Sequence, residues 1–435
     1  MNYRATDLNH LWHPYTNISC LEHNNFPIME SAKGVKLKDT DSKEYFDGIS
    51  SWWCVNLGHS HPAITKAITE QTKKLQHSII GGFSHTGIIE LSEKLAELAP
   101  GNLNRVYYAS DGASAIEAAI RIVIQYWWNQ GKEAKKNIIS LESGYHGDTL
   151  GTVGLGFIPR FHTSIKHVVN RSMQASSPHC FHCEFEDNCN LECFKSMEQK
   201  LRENSKNTAA VIIEPLCQGA AGIRIYPPEY LVQLRALCDE LDILLIADEI
   251  AVGFGRTGKM FASELAGIVP DVLVVGKSLT AGYLPMSAVI TNDYIFNTFR
   301  PIKKLDTTFY HGHTFAGNPI AAAAANAAIK VFEEENILEK CLIPFKIMEE
   351  SFNEFASLPG IYKTKTLGCM SSLEISAKAG GSKTAMKIGM LALKKGLIIR
   401  PLGAVIYLWP PLTTTQDEMT EMLSIFEASL KEVLR

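Results

Sequence analysis

Between residues 61 and 327, short apolar runs alternate with longer stretches whose apolar positions recur at helical spacing. The runs cover 106–109, 137–141, 210–214, 243–247 and 272–275, and most are rich in branched and leucine side chains with little polar alternation. Strands buried on both faces of a parallel sheet read this way, because helices cover each face. The alternation predicts a mainly parallel sheet sandwiched by helices. Outside that block the pattern changes. The first part of the chain is aromatic and turn-rich, with strand candidates at 35–38 and 44–46. Beyond 328 the spacing predicts a polar-faced helix over 329–355, a strand at 370–374, a Lys-rich helix over 385–395, a strand at 397–400 and a closing helix over 416–434. The expected layout is α/β. A large domain spans 61–327, a smaller α+β domain spans 328–435, and an N-terminal segment, 1–60, packs with the smaller one. At 435 residues the chain exceeds one ordinary core.

Composition narrows the function classes. The 42 basic and 46 acidic side chains leave a formal charge of -4 with no basic block, which argues against nucleic acid as a partner. No apolar run reaches the ~20 residues of a membrane helix, and the opening Met1-Asn2-Tyr3-Arg4-Ala5-Thr6-Asp7 has no apolar signal core. Ten cysteines without such a signal point to a reducing, cytoplasmic setting rather than a disulfide framework.

Chemistry gathers where strands end. The run at 243–247 leads into Asp248-Glu249, and the run at 272–275 into Gly276-Lys277. Ligands in open α/β sheets bind just beyond the carboxyl ends of the strands, so an acid and an amine arrive there together. Adjacent strand residues face opposite ways, so only one of the two carboxylates meets a given ligand, and a buried one needs a partner. A lysine that can form a Schiff base, beside an acid that keeps a pyridinium nitrogen protonated, is what pyridoxal 5'-phosphate requires. Lys277 and Asp248 are the candidates for those roles, against the alternative that Asp248-Glu249 is simply a solvated strand end.

Other segments fall at the same sheet edge. Ser110-Asp111-Gly112-Ala113-Ser114 opens a helix, where unpaired N–H groups suit a phosphate or an ordinary cap. Ser143-Gly144-Tyr145-His146-Gly147 follows a strand, and Tyr145 there either stacks on a pyridine ring or packs over the sheet. Thr314 precedes Asn318-Pro319, a helix start, and offers a hydroxyl to a phosphate or to a turn. Arg400 ends an apolar run; its partner is a substrate carboxylate or a structural acid. Gly253-Phe254-Gly255-Arg256-Thr257-Gly258 matches the dinucleotide pattern G-x-G-x-x-G, but two carboxylates stand where a pyrophosphate would sit, which argues against a dehydrogenase. Cys180, Cys183, Cys189 and Cys193 form a compact set that either holds zinc or an iron–sulfur cluster or is an insertion with idle thiols. Their irregular spacing and polar context favour no essential metal.

Together these motifs resemble the class III aminotransferases over essentially the whole length. The resemblance is carried by Ala247-Asp248-Glu249-Ile250-Ala251-Val252-Gly253-Phe254-Gly255-Arg256-Thr257-Gly258, by Gly276-Lys277, by the segment around Tyr145, and by Thr314-Phe315-Ala316-Gly317-Asn318-Pro319. It implies PLP fold type I. Within the class, Trp12-His13-Pro14-Tyr15-Thr16, Ser50-Ser51-Trp52-Trp53, His311-Gly312-His313-Thr314 and Ile399-Arg400-Pro401 are similar to the branch that aminates 8-amino-7-oxononanoate with S-adenosylmethionine in biotin synthesis. The other branches use different ω-amino acids or diamines. The resemblance implies that Lys277, Asp248 and Tyr145 are catalytic, and that Gly112 and Ala113 cradle the phosphate. It also implies that Thr314, with His313 beside it, reaches the cofactor from the second subunit of a homodimer. Tyr15, Trp52, Tyr145, Lys277, Gly312 and Arg400 would line the substrate pocket. Two departures stand out: Ala113 where a hydroxyl residue is usual, with Ser114 or water to compensate, and His313 where proline is common.

Overall fold

The computed structural model describes residues 2–185, 189–301 and 306–435. Its main sheet has seven strands: β1 (Leu103–Ala109), β2 (Asn137–Leu141), β3 (Met173–Ala175), β4 (Thr208–Ile213), β5 (Leu244–Asp248), β6 (Val272–Val275) and β7 (Ser287–Asn292). Their order across the sheet is β1-β7-β6-β5-β4-β2-β3. β3, β2, β4, β5 and β6 pair in parallel, and β7 runs antiparallel between β6 and β1. Every residue of β4, β5 and β6 is buried, which is why their sequences carry no alternation. The register sets Asp248 opposite Val274, so the chain leaving β6 reaches Lys277 just past the end of β5.

The remaining strands form smaller sheets. Met29–Lys33, Lys36–Asp39 and Glu44–Asp47 make an antiparallel meander whose last strand pairs in parallel with Leu397–Ile398. The two ends of the chain are thereby joined. Ile361–Leu367, Met370–Ile375 and Val405–Leu408 form an antiparallel sheet covered by the helices Leu342–Phe355 and Gly381–Lys394, with Gln416–Leu434 packed against both helices.

Three expectations need correction. The helix expected over 329–355 is three: Pro319–Glu334, Ile337–Lys340 and Leu342–Phe355. Asn336 adopts the left-handed conformation at φ 50°, and its side chain is among those that tolerate it, so the chain turns there despite continuous apolar periodicity. The strand expected over 397–400 stops at Ile398, and Ile399 and Arg400 turn out toward a cavity. Like the three-residue β3, β7 has no counterpart in the expected strands. Its apolar centre is flanked by Ser287 and by Thr291-Asn292, which masked a strand that is buried throughout.

Candidate active site

Five strand ends meet at one cavity. β5 delivers Asp248, the turn after β6 delivers Lys277, and Glu214 follows β4 directly. Tyr145 and His146 lie in the loop after β2, and the helix after β1 begins at Gly112. All of these line a cavity of about 1250 Å³.

Asp248 is 4 % exposed. Its Oδ2 lies 2.7 Å from Nδ1 of the equally buried His146, and its Oδ1 accepts the Ile250 N–H at 3.2 Å. Glu214 accepts the N–H groups of Tyr145 at 2.9 Å and Gly219 at 3.0 Å. Burial pushes its carboxyl up to about 7, with Asp248 raising it further and His146 opposing. Lys277 adopts φ 39°, a conformation that costs a non-glycine residue on the order of 1–3 kcal/mol. Its amine lies 5.1 Å from the Trp53 ring centroid. Burial lowers the lysine pKa, while Asp248 and Glu214 pull it back up. A lysine biased toward its neutral form is the one that acts as nucleophile or base.

The helix Gly112–Asn129 is capped by Asp111, whose carboxylate accepts both the N–H and the hydroxyl of Ser114, at 3.0 and 2.7 Å. The Ser114 hydroxyl is therefore committed to the cap and does not stand in for the one missing at Ala113. The N–H groups of Gly112 and Ala113 come too early in the helix for intrahelical acceptors and remain for a ligand. Space there is close-fitting. A β-carbon at Gly112 would come within 3.0 Å of the Ile250 side chain, and one at Gly147 within 2.4 Å of the Ala113 β-carbon.

The outer wall is aromatic. Tyr15 donates its hydroxyl to both oxygens of Asp148 at 2.7 and 2.8 Å, and Tyr145 donates to the same carboxylate at 2.9 Å. Burial and Asp148 push the Tyr15 phenol up to about 12. The Tyr15 ring meets Trp52 and Phe161 edge-on, at centroid distances of 5.8 and 5.3 Å. The Arg400 guanidinium lies 4.2 Å from the Trp52 ring centroid. No acid among the described residues pairs with Arg400. The wall itself stands on unusual backbone: Ser50, Ser51, Trp52 and Trp53 all have positive φ, at 48, 44, 78 and 68°. This is one turn of left-handed helix. Asp47 accepts the N–H and hydroxyl of Ser51 at 2.9 and 2.7 Å and lies 2.8 Å from His59 Nε2.

A family model described as aminotransferase class-III matches residues 19–430. The chain belongs to the class III aminotransferases. The adenosylmethionine-8-amino-7-oxononanoate aminotransferase of Aquifex aeolicus is 37% identical, over 98% of this chain and 96% of the relative. The enzyme of that name from Staphylococcus aureus is 35% identical, over 100% and 99%. Among solved structures, the adenosylmethionine-8-amino-7-oxononanoate aminotransferase of Methanocaldococcus jannaschii superposes with a TM-score of 0.92 at 33% identity, covering 99% of this chain and 98% of that one. An omega transaminase of Pseudomonas jessenii in complex with PMP gives 0.93 at 28% identity, covering 100% and 98%.

As a class III aminotransferase the chain needs a place for pyridoxal 5'-phosphate, and the cavity fits it on three observations. A buried carboxylate sits beside a histidine, a shielded lysine faces that acid's field, and a helix N-terminus with free N–H groups has no room for a side chain at Gly112. Of the residues singled out in the sequence, Tyr15, Trp52, Gly112, Ala113, Tyr145, Asp248, Lys277 and Arg400 line the cavity. Gly312, His313 and Thr314 do not. They lie in an exposed stretch held by Tyr107, whose hydroxyl donates to the His311 carbonyl at 2.9 Å, and by Arg121, 3.0 Å from the His311 ring. Sequence reasoning set His146 at the sheet edge without giving it a role, and it missed Asp148, Glu214 and Trp53. Glu214 was open to the rule that found Asp248, since it too ends an apolar run. Cys180, Cys183, Cys189 and Cys193 are free thiols on an irregular surface stretch, and residues 186–188 between them lie outside the described residues. Among the described residues no three His, Cys, Asp or Glu side chains gather around a metal position.

Proposed function

We propose that this aminotransferase moves the amino group of S-adenosylmethionine to 8-amino-7-oxononanoate, giving 7,8-diaminononanoate for biotin synthesis in the cytoplasm. The relatives named for that reaction support the reading. The observation that carries it is the unpaired Arg400 stacked on Trp52 in an aromatic cavity, which suits the carboxylate end of a long aliphatic keto acid. The aromatic faces of Trp52, Tyr15 and Tyr145 suit the sulfonium of the donor. The chain has no described helix long and apolar enough to cross a membrane.

When bound, pyridoxal 5'-phosphate supplies an electron sink for the bond broken at the carbon that carries the amine. Lys277 would hold it covalently, Asp248 would pair its ring nitrogen, and the N–H groups of Gly112 and Ala113 would hold its phosphate. His146, 2.7 Å from Asp248, orients that carboxylate. With its pKa lowered by burial, the Lys277 amine would serve as a base in a dry setting, able to take a proton from the donor carbon and return it elsewhere. Tyr145 is held by Asp148 and Glu214 where it forms part of the cavity wall. Gly312, His313 and Thr314 would complete the cavity of a second copy in a homodimer, which accounts for their distance from their own.

A donor panel tests the reading. S-adenosylmethionine should convert the yellow enzyme to its amine-loaded form, while ornithine, acetylornithine, 4-aminobutyrate and lysine should do so far more slowly. Preference for one of those donors would keep the class and discard the substrates. Borohydride reduction followed by peptide mapping should label Lys277 and no other lysine.

A further inference from the structure

Away from the cavity, two buried thiols face each other. Cys369 directs its thiol at the Cys341 sulfur across 3.8 Å, and the two residues are 2 % and 1 % exposed. They come from separate elements. Cys341 joins the helices Ile337–Lys340 and Leu342–Phe355, and Cys369 sits at the turn between the strands Ile361–Leu367 and Met370–Ile375. A third group completes the cluster: the guanidinium of Arg256, itself buried, donates to the Cys369 carbonyl at 2.8 Å. The Arg256 carbonyl in turn accepts the Cys369 N–H at 2.8 Å. No carboxylate pairs with Arg256 among the described residues. Its other bonds go to the Pro410 carbonyl at 2.8 Å and to the Ser50 hydroxyl at 3.3 Å, at the foot of the left-handed turn.

We propose that Cys341 and Cys369 form a peroxide-responsive disulfide latch beneath the substrate wall. The two thiols are placed unequally. The Cys369 thiol points at the Cys341 sulfur and so supports a negative charge there; that bond lowers the Cys341 pKa against its burial, with the Arg256 charge helping, whereas burial raises Cys369, so Cys341 is the attacking sulfur and Cys369 the resolving one. The Cys341 thiolate attacks one oxygen of a hydroperoxide. The O–O bond breaks, and the other oxygen leaves and is protonated. Cys369 then attacks the oxidised Cys341 sulfur, the S–O bond breaks, and hydroxide departs with the Cys369 proton as water. Two thiols lose two protons and two electrons, and hydrogen peroxide takes up both to become two waters. The sulfurs must close from 3.8 Å to about 2.05 Å. The Cys369 backbone, tied at both its N–H and its carbonyl to Arg256, resists that movement, so closure falls mainly to the junction at Cys341. The bond would tie this junction to the Arg256 loop, and through it to the Ser50 hydroxyl.

The test uses the cofactor-loaded enzyme in a background where Cys180, Cys183, Cys189 and Cys193 are serine, which removes four of the six thiols that are not buried and leaves Cys20 and Cys54 to be followed in the same peptide map. After hydrogen peroxide, peptide mapping of alkylated protein should find Cys341 joined to Cys369, with loss of two hydrogens that dithiothreitol restores. The oxidised form should show a higher thermal midpoint, and slower amide exchange at residues 253–258, than the reduced form. Cys369→Ser and Cys369→Ala should both lack the cross-link and the shifts, and the two together guard against a variant that fails to fold. Two free thiols after peroxide treatment, or Cys341 over-oxidised with no cross-link, would overturn the proposal. So would a cross-link that leaves midpoint and exchange unchanged.

Discussion

Replacing Arg400 with alanine is the sharpest probe of the proposed substrate site. The guanidinium has no acidic partner among the described residues and rests 4.2 Å from the Trp52 ring centroid. Its removal therefore breaks no ion pair of the free protein and forfeits only the stacking, about 0.5–1 kcal/mol at an accessible site. The bound keto acid loses more. A hydrogen bond to a charged group nets about 1.5–3 kcal/mol, and tenfold in affinity is 1.4 kcal/mol, so KM for 8-amino-7-oxononanoate should rise roughly 10- to 150-fold. Because the carboxylate lies remote from the reacting carbon, kcat should fall much less than kcat/KM. The methyl ester of the keto acid supplies the control. Wild type should lose a similar factor with the ester, and Arg400→Ala should lose little further. Steady-state kinetics with both acceptors, alongside the cofactor's absorbance, measures all three. A KM rise below about threefold with the cofactor retained would refute the assignment, as would an ester penalty equal in both proteins.

Asp248→Asn should keep the fold and bind cofactor but lose activity about a hundredfold or more, since a charged partner is removed from a water-poor site; single-turnover rates check it. Burial raises Glu249 to about 7 from 4.5, so the folded state holds its proton more tightly than the unfolded state does. Its contribution to stability is then complete below 4.5 and declines as pH rises through about 7. The melting-temperature difference between wild type and Glu249→Gln should shrink across that window in calorimetry. Protein purified without chelator should contain zinc and iron well below one per chain, and stoichiometric metal lost in Cys180→Ser/Cys183→Ser would contradict the reading of idle thiols.

The chemistry was readable where one strand carries both its own burial signal and its terminal charge. Asp248 and Lys277 each end an apolar run, and local sequence suffices to set them at a common edge. Legibility failed where position depends on distant partners. β7 is polar-tipped, and only its neighbours β1 and β6 make it a strand. Asn336 breaks a helix whose periodicity runs on regardless. Arg256 lies in a segment whose glycines suggest a nucleotide, yet its side chain is used to bond Cys369, Pro410 and Ser50 from three separate parts of the chain. Asp148 gives no hint in sequence that two tyrosines, Tyr15 and Tyr145, share its carboxylate.

The left-handed turn at Ser50–Trp53 also constrains how this enzyme folds and how it can drift. Each of its residues gives up about 1–2 kcal/mol relative to the ordinary helical hand, so nothing local selects the turn. It waits for Asp47, His59, Arg256 and the Trp409 carbonyl, which accepts the Ser50 hydroxyl at 2.7 Å, to be in place. The sheet and its buried acid would thus form before the wall that chooses a substrate, and a cofactor-competent state would precede a substrate-competent one on the folding path. Over generations the same backbone closes the turn to β-branched side chains, which fit the left-handed region worst. Variation there is channelled toward glycine, asparagine and aspartate. Substrate preference in this lineage would then shift more readily by changes at Tyr15, Phe161 or Arg400 than by reshaping the tryptophan wall itself.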